Sequence, residues 1–381
     1  MHCAIIGAGI GGLATAVALQ RQGRDTVVYE RAVGLAPVGA GILMPPNALA
    51  VLATYGLAGA VRAAGHTVEA LVLTDHRGAV LSRTPAGHGT GVGHLSTVAL
   101  HRGALQRVLL DALAPGSLRL DARCEHVVPG GDRMAFTLNG DAVRHADLLV
   151  GADGVHSRVR KALFPDSALR CAGQHCWRGV ATVRLAPRWR SQLTEMWGVG
   201  ARFGFVSIGP DQVYWYATVS APGAARAGTP VDADLGARFA AFADPVGELL
   251  SATPVNARVA GPLQDLARLP RWSVGHATLL GDAAHAATPN LGQGGAQAIE
   301  DSHALAKALQ ASACVPIALE RFRAARVARV DTVVNRSWRL GQAVNLRHPW
   351  VCRLRNAALQ VGARVFGPRP TTSLYQWPSG R

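Results

Sequence analysis

The chain has 381 residues, 49% of them hydrophobic and 17% charged, against about 25% charged in an average globular protein. That composition over that length builds two or three packed domains and excludes a disordered or low-complexity protein. The net charge is +15, nearly all of it arginine, because Lys161 and Lys307 are the only lysines. The arginines run along the whole chain instead of gathering in one patch with interleaved aromatics, so no nucleic-acid partner is expected.

Met1 leads straight into an apolar strand with no basic n-region, so no leader peptide is expected. Residues 2–6 (HCAII) run into Gly7-Ala8-Gly9-Ile10-Gly11-Gly12. A helix with apolar Leu13, Ala16, Val17 and Leu19 follows and stops at Gly23, and a second strand, residues 26–29, ends at Glu30. This is a dinucleotide fingerprint in its full strand–turn–helix–strand–acid context. Gly7 permits the tight turn, Gly9 lets the backbone approach a pyrophosphate, and Gly12 lets helix and strand pack closely. The helix N-terminus offers unpaired N–H groups to the diphosphate. Glu30 accepts from a ribose and repels a 2′-phosphate, so the site suits FAD or NAD rather than NADP.

Residues 32–61 carry no charge, yet Pro37, Pro45, Pro46 and several glycines break them, so they read as buried loop and short helix rather than a membrane span. Glycines alternate at 87, 89, 91 and 93 without an apolar strand before them, and 198, 200 and 204 have the wrong spacing, so no second dinucleotide fold is expected. Cysteines 3, 124, 171, 176, 314 and 352 form no CxxC pair. Free thiols in a reducing cytoplasm, with no metal site, are expected.

Residues 146–150 form another buried strand, opening into Gly151-Ala152-Asp153-Gly154. Residues 277–280 do the same, opening into Gly281-Asp282-Ala283-Ala284-His285, then Pro289-Asn290-Leu291-Gly292-Gln293-Gly294-Gly295 and a helix from about 297 to 310. Asp282 at a strand end is placed to accept from a ribityl hydroxyl or to cap a helix. Gly292, Gly294 and Gly295 leave room for a flat ring, and the next helix directs its positive end there.

With its GxGxxG, DG and GD motifs in this order and spacing, the sequence resembles the single-component FAD-dependent aromatic monooxygenases, the para-hydroxybenzoate hydroxylase-like family, over nearly its whole length. The resemblance implies an α/β fold: a Rossmann-type FAD-binding domain interleaved with an antiparallel-sheet substrate domain and a C-terminal helical tail. It implies FAD contacts from Gly11, Glu30, Arg31, Arg102, Asp282 and the stretch Gly292, Gln293, Gly294, Gly295 and Ala296. Asp153 serves FAD and the passing nicotinamide cofactor, or supports the loop. The resemblance also implies NADH or NADPH as a transient co-substrate without its own domain, and O2 activated as a flavin hydroperoxide that hydroxylates an electron-rich ring. His285 is an electrostatic aid or a structural residue. Flavin halogenases carry a WxWxIP motif, which this sequence lacks.

From about residue 172 the texture changes to aromatic-rich, period-2 runs at 177–185, 202–208 and 212–220, which read as antiparallel strands. Tyr214 and Tyr216 share one face of that sheet. These runs resemble the alkylquinolone 3-hydroxylases and urate hydroxylases of the family, which places Arg202, Tyr214, Tyr216 and Pro289 at the substrate and gives Arg202, Tyr214 and Asn290 the catalytic positions. The urate enzymes carry aspartate where this chain has Asn290, and an amide is neither a carboxylate base nor an ion-pair partner. A lipophilic N-heteroaromatic or a phenol is therefore expected; the alternatives are urate or another purine, or a non-hydroxylating FAD-binding oxidoreductase or flavin-binding sensor.

The arginine-rich stretch 336–369 resembles the helical tail of the quinolone hydroxylases. It packs on the core with its arginines in water, or it grazes an anionic membrane surface. The expected division is 1–70, 98–171 and 273–340 for FAD, 71–97 and 172–272 for substrate, and 341–381 for the tail. The protein is expected to be a cytoplasmic monomer or homodimer.

Overall fold

The computed structural model describes residues 1–35, 40–89, 94–221, 234–366 and 372–375. Pro37, Gly91, Gly93 and Arg369 lie outside the described residues. Strands covered on both faces read as continuous apolar runs, and these assemble first into a six-stranded sheet. Its order is Ser273–Val274, Ala277–Leu279, Leu148–Gly151, His2–Ile6, Asp25–Tyr29 and Leu118–Arg119. The Ser273–Val274 strand is antiparallel and the other pairings are parallel. The three motif loops leave the C-terminal ends of three adjacent strands: Ile6 pairs with Gly151, and Gly151 with Leu279. Ligands of open parallel sheets bind at such ends.

The fingerprint helix Ile10–Gln20 is buried along almost its whole length. Ala14, Ala16 and Ala18 keep it thin enough to lie between the sheet and the helix Gly294–Gln310. The latter begins three residues earlier than the sequence suggests, because Gly294 and Gly295 form its first turn instead of preceding it. Residues 41–63 fold as the strand Gly41–Met44 and the helices Pro46–Thr54 and Ala58–Ala63, the first helix opening with proline where its missing N–H costs nothing.

A seven-stranded sheet forms the second layer, in the order Val259–Leu266, Leu169–Thr182, Gln212–Ser220, Ala201–Ser207, Gln192–Trp197, Ala70–Asp75 and Val80–Pro85. Side chains alternate between its faces, so cross-strand partners share a face. One face carries Trp177, Ala181, Met196, Phe203, Phe205, Trp215 and Ala217, and closes a core with Phe239, Val246 and Leu249. Phe203 stacks on Trp215 with ring centroids 5.5 Å apart, and Trp215 Nε1 donates to Thr253 Oγ1 at 2.8 Å. The other face looks toward the dinucleotide half and is polar at its centre.

The helix Val315–Val344 runs past both layers, and at 30 residues it reaches about 45 Å. Asn345 ends it, and the tail helix Pro349–Phe366 restarts behind proline. The arginine-rich tail stretch is thus divided between two helices.

Candidate active site

Gly7 adopts φ +108°, and a Cβ there would come within 2.6 Å of the Ala152 carbonyl oxygen. A Cβ on Gly12 would overlap the Gly7 carbonyl, whereas Gly9 faces open space. The turn is therefore closed against side chains from below and open toward a ligand. Gly11 behaves differently: its Cβ would meet Leu280 and Ala298, so its smallness lets the fingerprint helix sit against its neighbours. A cavity of about 210 Å³ opens beside the turn, lined among others by Gly7, Gly9, Glu30, Arg31, Arg102 and Asp153.

Glu30 fixes the turn through both oxygens, accepting from Ala8 N at 2.8 Å and from Ala32 N at 3.0 Å. Arg102 opens the helix Arg102–Asp111, and Gln106 on the next turn donates to the Ala8 carbonyl at 2.8 Å. That bond sets the helix, and Arg102 with it, against the fingerprint loop. Gln106 carried no signal in the sequence beyond its place in the run HRGALQ.

Asp153 caps the helix Arg158–Leu163, accepting from Arg158 N at 2.7 Å, from Val159 N at 3.2 Å and from Ser157 Oγ. Its loop-supporting role is therefore visible directly, while the residue also lines the cavity. Arg160, 5% exposed, donates to the carbonyls of Ala283 and Val155 and so ties this loop to the Gly281-Asp282 loop.

The Gly281 turn (φ +59°) is held from behind. Gly281 N donates to Asp301 Oδ2 at 3.0 Å, and His285 Nε2 lies 2.6 Å from the same oxygen. Arg326 Nε donates to Asp301 Oδ1 at 2.8 Å, and Arg326 and Arg329 both pair with Glu300. Burial alone would push the Asp301 carboxyl up, but the adjoining His285 and Arg326 bring it down to about 2. His285 is thereby engaged as a structural residue, packed on Trp272 with ring centroids 5.2 Å apart. Asp282 is exposed and, among the described residues, its carboxylate accepts no hydrogen bond, so its oxygens are available to a ligand.

Gly294 follows closely, since a Cβ there would lie 3.8 Å from Asp282 Oδ1. Gly292 turns the chain at φ +62°, and no side chain caps the helix that Gly294, Gly295 and Ala296 begin. Gln293 is 2% exposed; its Oε1 accepts from Asn47 and Gln297 at 3.1 Å, while its Nε2 is buried without a partner. The set consists of an open glycine turn, an unengaged carboxylate, an uncapped helix start and an orphaned amide donor. It fits FAD laid from the fingerprint to the Gly292 loop.

On the inner face of the seven-stranded sheet, register brings Arg178 opposite Tyr216, Tyr216 opposite Gly204, and Arg202 opposite both Thr218 and Trp197. Tyr214 lies on the same face, its ring centroid 6.0 Å from that of Tyr216. A Cβ on Gly204 would overlap the Tyr216 ring, and one on Gly41 the Tyr214 ring, so both tyrosines lie flat only because glycines face them. Burial pushes the Tyr214 hydroxyl up to about 12, and burial with the Glu195 charge pushes Tyr216 well above its ordinary value.

Arg202 is 2% exposed, pairs with Glu195 at 3.4 Å and donates to Asn290 Oδ1. Asn290 is itself fixed, its Nδ2 donating at 2.9 Å to Thr288 Oγ1 and to the Ser337 carbonyl. Arg202, Tyr214, Tyr216 and Asn290 thus come together, and Asn290 joins the sheet to the Gly292 loop. Pro289 is exposed on that loop. Glu195 and Arg178 were not singled out from the sequence; strict alternation along residues 192–197 would have put Glu195 beside Trp197.

The profile of a family described as FAD binding domain matches residues 1–337. Aurachin C monooxygenase/isomerase of Stigmatella aurantiaca is 38% identical over 94% of this chain and 93% of that protein. The 2-heptyl-3-hydroxy-4(1H)-quinolone synthase of Pseudomonas aeruginosa is 34% identical over 95% of this chain and 94% of its own. Among solved structures, Klebsiella pneumoniae HpxO complexed with FAD and uric acid superposes with a TM-score of 0.82 at 26% identity, covering 96% of this chain and 94% of that one. The chain belongs to the FAD binding domain family and is an FAD-dependent, NAD(P)H- and O2-consuming monooxygenase of aromatic or heteroaromatic small molecules.

Proposed function

We propose that the substrate is an N-heteroaromatic ring of the quinolone type, and that Arg202, Tyr214, Tyr216 and Pro289 hold it against the flavin. The observation that carries this reading is Arg202, tethered to Asn290 on the inner sheet face beside Tyr214 and Tyr216, with an amide where a urate site has a carboxylate. The two relatives named for aurachin and alkylquinolone chemistry support it. In this reading Gly7, Gly9, Gly11, Gly12, Glu30, Arg31 and Arg102 receive the adenosine diphosphate half, and Asp282 accepts from the ribityl chain. Residues 292–296 lie against the ring system, and Asp153 holds the loop between them.

FAD, when bound, supplies the redox and oxygen-activating chemistry. The chain contributes placement: Arg202 orients the ring oxygen, Asn290 holds Arg202, and the two tyrosines cover the ring and exclude water. The stretches 1–70, 98–171 and 273–340 form the cofactor half, and 71–97 and 172–272 the substrate half. The test is substrate-stimulated NADH oxidation with 2-alkyl-4-quinolones, phenols and urate, with oxygen incorporation into product. Equal or greater stimulation and coupling with urate contradicts the reading.

We also propose that the tail helix touches anionic membrane and that the protein works in the cytoplasm. No helix among the described residues is long and apolar enough to cross a membrane. Trp350, Leu354, Val361 and Val365 are nevertheless exposed along one helix, with Arg353 and Arg364 beside them. Co-sedimentation with phosphatidylglycerol vesicles, lost in Trp350→Ala/Leu354→Ser, tests the contact.

A further inference from the structure

A buried guanidinium at a substrate site ordinarily selects anions. Here its charge is already answered. Arg202 Nη1 pairs with Glu195 Oε1 at 3.4 Å. The same oxygen accepts from Trp197 Nε1 at 2.6 Å, while Glu195 Oε2 accepts from the Tyr216 hydroxyl. On the other side Arg202 Nη2 donates to Asn290, which carries no charge. Arg178 shares this face opposite Tyr216, with its charge directed toward Tyr214 and Asp282. Arg355 stacks outside Trp197 at 4.8 Å and donates to the Ala343 and Val344 carbonyls and to Asn356. The Arg202–Glu195 pair itself is therefore electrically neutral. One donor is left over: Arg202 Nε is buried and has no partner.

We propose that Glu195 is a specificity-determining residue that cancels the charge of Arg202, so that the site takes an uncharged ring whose carbonyl oxygen accepts from the free Arg202 N–H. The inference rests on the inner sheet face being the substrate site. An anionic ring brings a second negative charge beside Glu195 and meets repulsion at short range in a water-poor setting. A neutral ring carbonyl satisfies the orphaned donor and leaves the ion pair intact. Glu195 acts through Arg202 and is a positioning residue, not a catalytic one. Tyr216 contributes by holding the carboxylate in place, with Gly204 giving its ring room.

The experiment uses the FAD-loaded protein and two probes, 2-methyl-4(1H)-quinolone and quinoline-4-carboxylate, the second with a charged acceptor at the same ring position. Dissociation constants come from perturbation of the flavin visible absorption and from calorimetry, independently of turnover. The wild type is expected to prefer the neutral probe by at least tenfold. Glu195→Gln keeps a hydrogen-bonding side chain but removes the charge, and it should shrink that ratio at least tenfold. Trp197→Phe, which removes a hydrogen bond to Glu195 and no charge, should leave the ratio within threefold.

An unchanged ratio in Glu195→Gln, with FAD content and melting temperature intact, overturns the proposal. So does a wild type that binds the carboxylate as tightly as the quinolone. Should Glu195→Gln not fold, Asn290→Asp decides, because it adds negative charge on the other side of Arg202 and must weaken the carboxylate further. If neither probe perturbs the wild-type flavin, the assignment of this face to substrate falls and the proposal with it. A ratio that fails to respond while both probes bind removes Glu195's role alone.

Discussion

Asp301→Asn removes one charge from the network behind the Gly281 turn. Asp301 is fully buried, and its oxygens hold Arg326 at 2.8 Å, His285 at 2.6 Å and Gly281 N at 3.0 Å. An asparagine must turn an NH2 group toward one of these partners, which puts donor against donor. Removing one member of a buried pair costs about 3–5 kcal/mol. Glu300 still faces Arg326, so the lower half of that range is expected.

The pH dependence has a definite sign. The folded carboxyl is held at about 2, below its ordinary value of 3.8. Its contribution, about 2 kcal/mol by linkage, is fully present above the unfolded value and is lost as pH falls through about 2. Urea unfolding at pH 7 and pH 3 measures both effects. Asp301→Asn should unfold at lower urea at pH 7, and the gap to wild type should narrow at pH 3. The FAD dissociation constant should rise about tenfold or more, because the Gly281 turn loses its rear anchor. A variant with wild-type urea midpoint and wild-type FAD affinity refutes the reasoning.

Other substitutions separate the two halves of the site. Gly12→Ala puts a Cβ into the Gly7 carbonyl, a backbone contact that cannot yield, so the purified protein should lose most of its bound flavin by absorbance. Asn290→Ala releases Arg202 without touching the fingerprint; kcat/KM should fall about 10–100-fold, or about 1–3 kcal/mol, with the FAD dissociation constant unchanged. Trp215→Phe leaves Thr253 Oγ1 without its donor on the far side of the sheet, and denaturant titration should show about 1–3 kcal/mol lost with KM unaltered.

The flavin half was legible because its signals are local. A glycine that must take φ +108° or admit a carbonyl, as Gly7 and Gly12 do, is written at one position in the chain. The order of the three motifs then assigns three strand ends of one sheet. What holds those ends is not local. Arg160 reaches Ala283, and Arg326 reaches Asp301, through packing that no periodicity encodes. The substrate face was half legible: alternation puts Tyr214 and Tyr216 together, but the cross-strand register is what brings Glu195 to Arg202 and Tyr216. The strand Leu169–Thr182 also starts earlier than its aromatic run, because its pairing with Val259–Leu266 shifts register between Cys171 and His175. The start of the Gly294 helix was missed for a related reason, since a Gly-Gly pair reads as loop until the flavin site requires a short, bare first turn.

The most direct test of the account is single-turnover product analysis under ¹⁸O2 with NADH, FAD-loaded protein and a 2-alkyl-4-quinolone. The account predicts one ¹⁸O atom in the hydroxylated ring for each NADH consumed. NADH consumption that ends in hydrogen peroxide, with the quinolone recovered unlabelled, contradicts it.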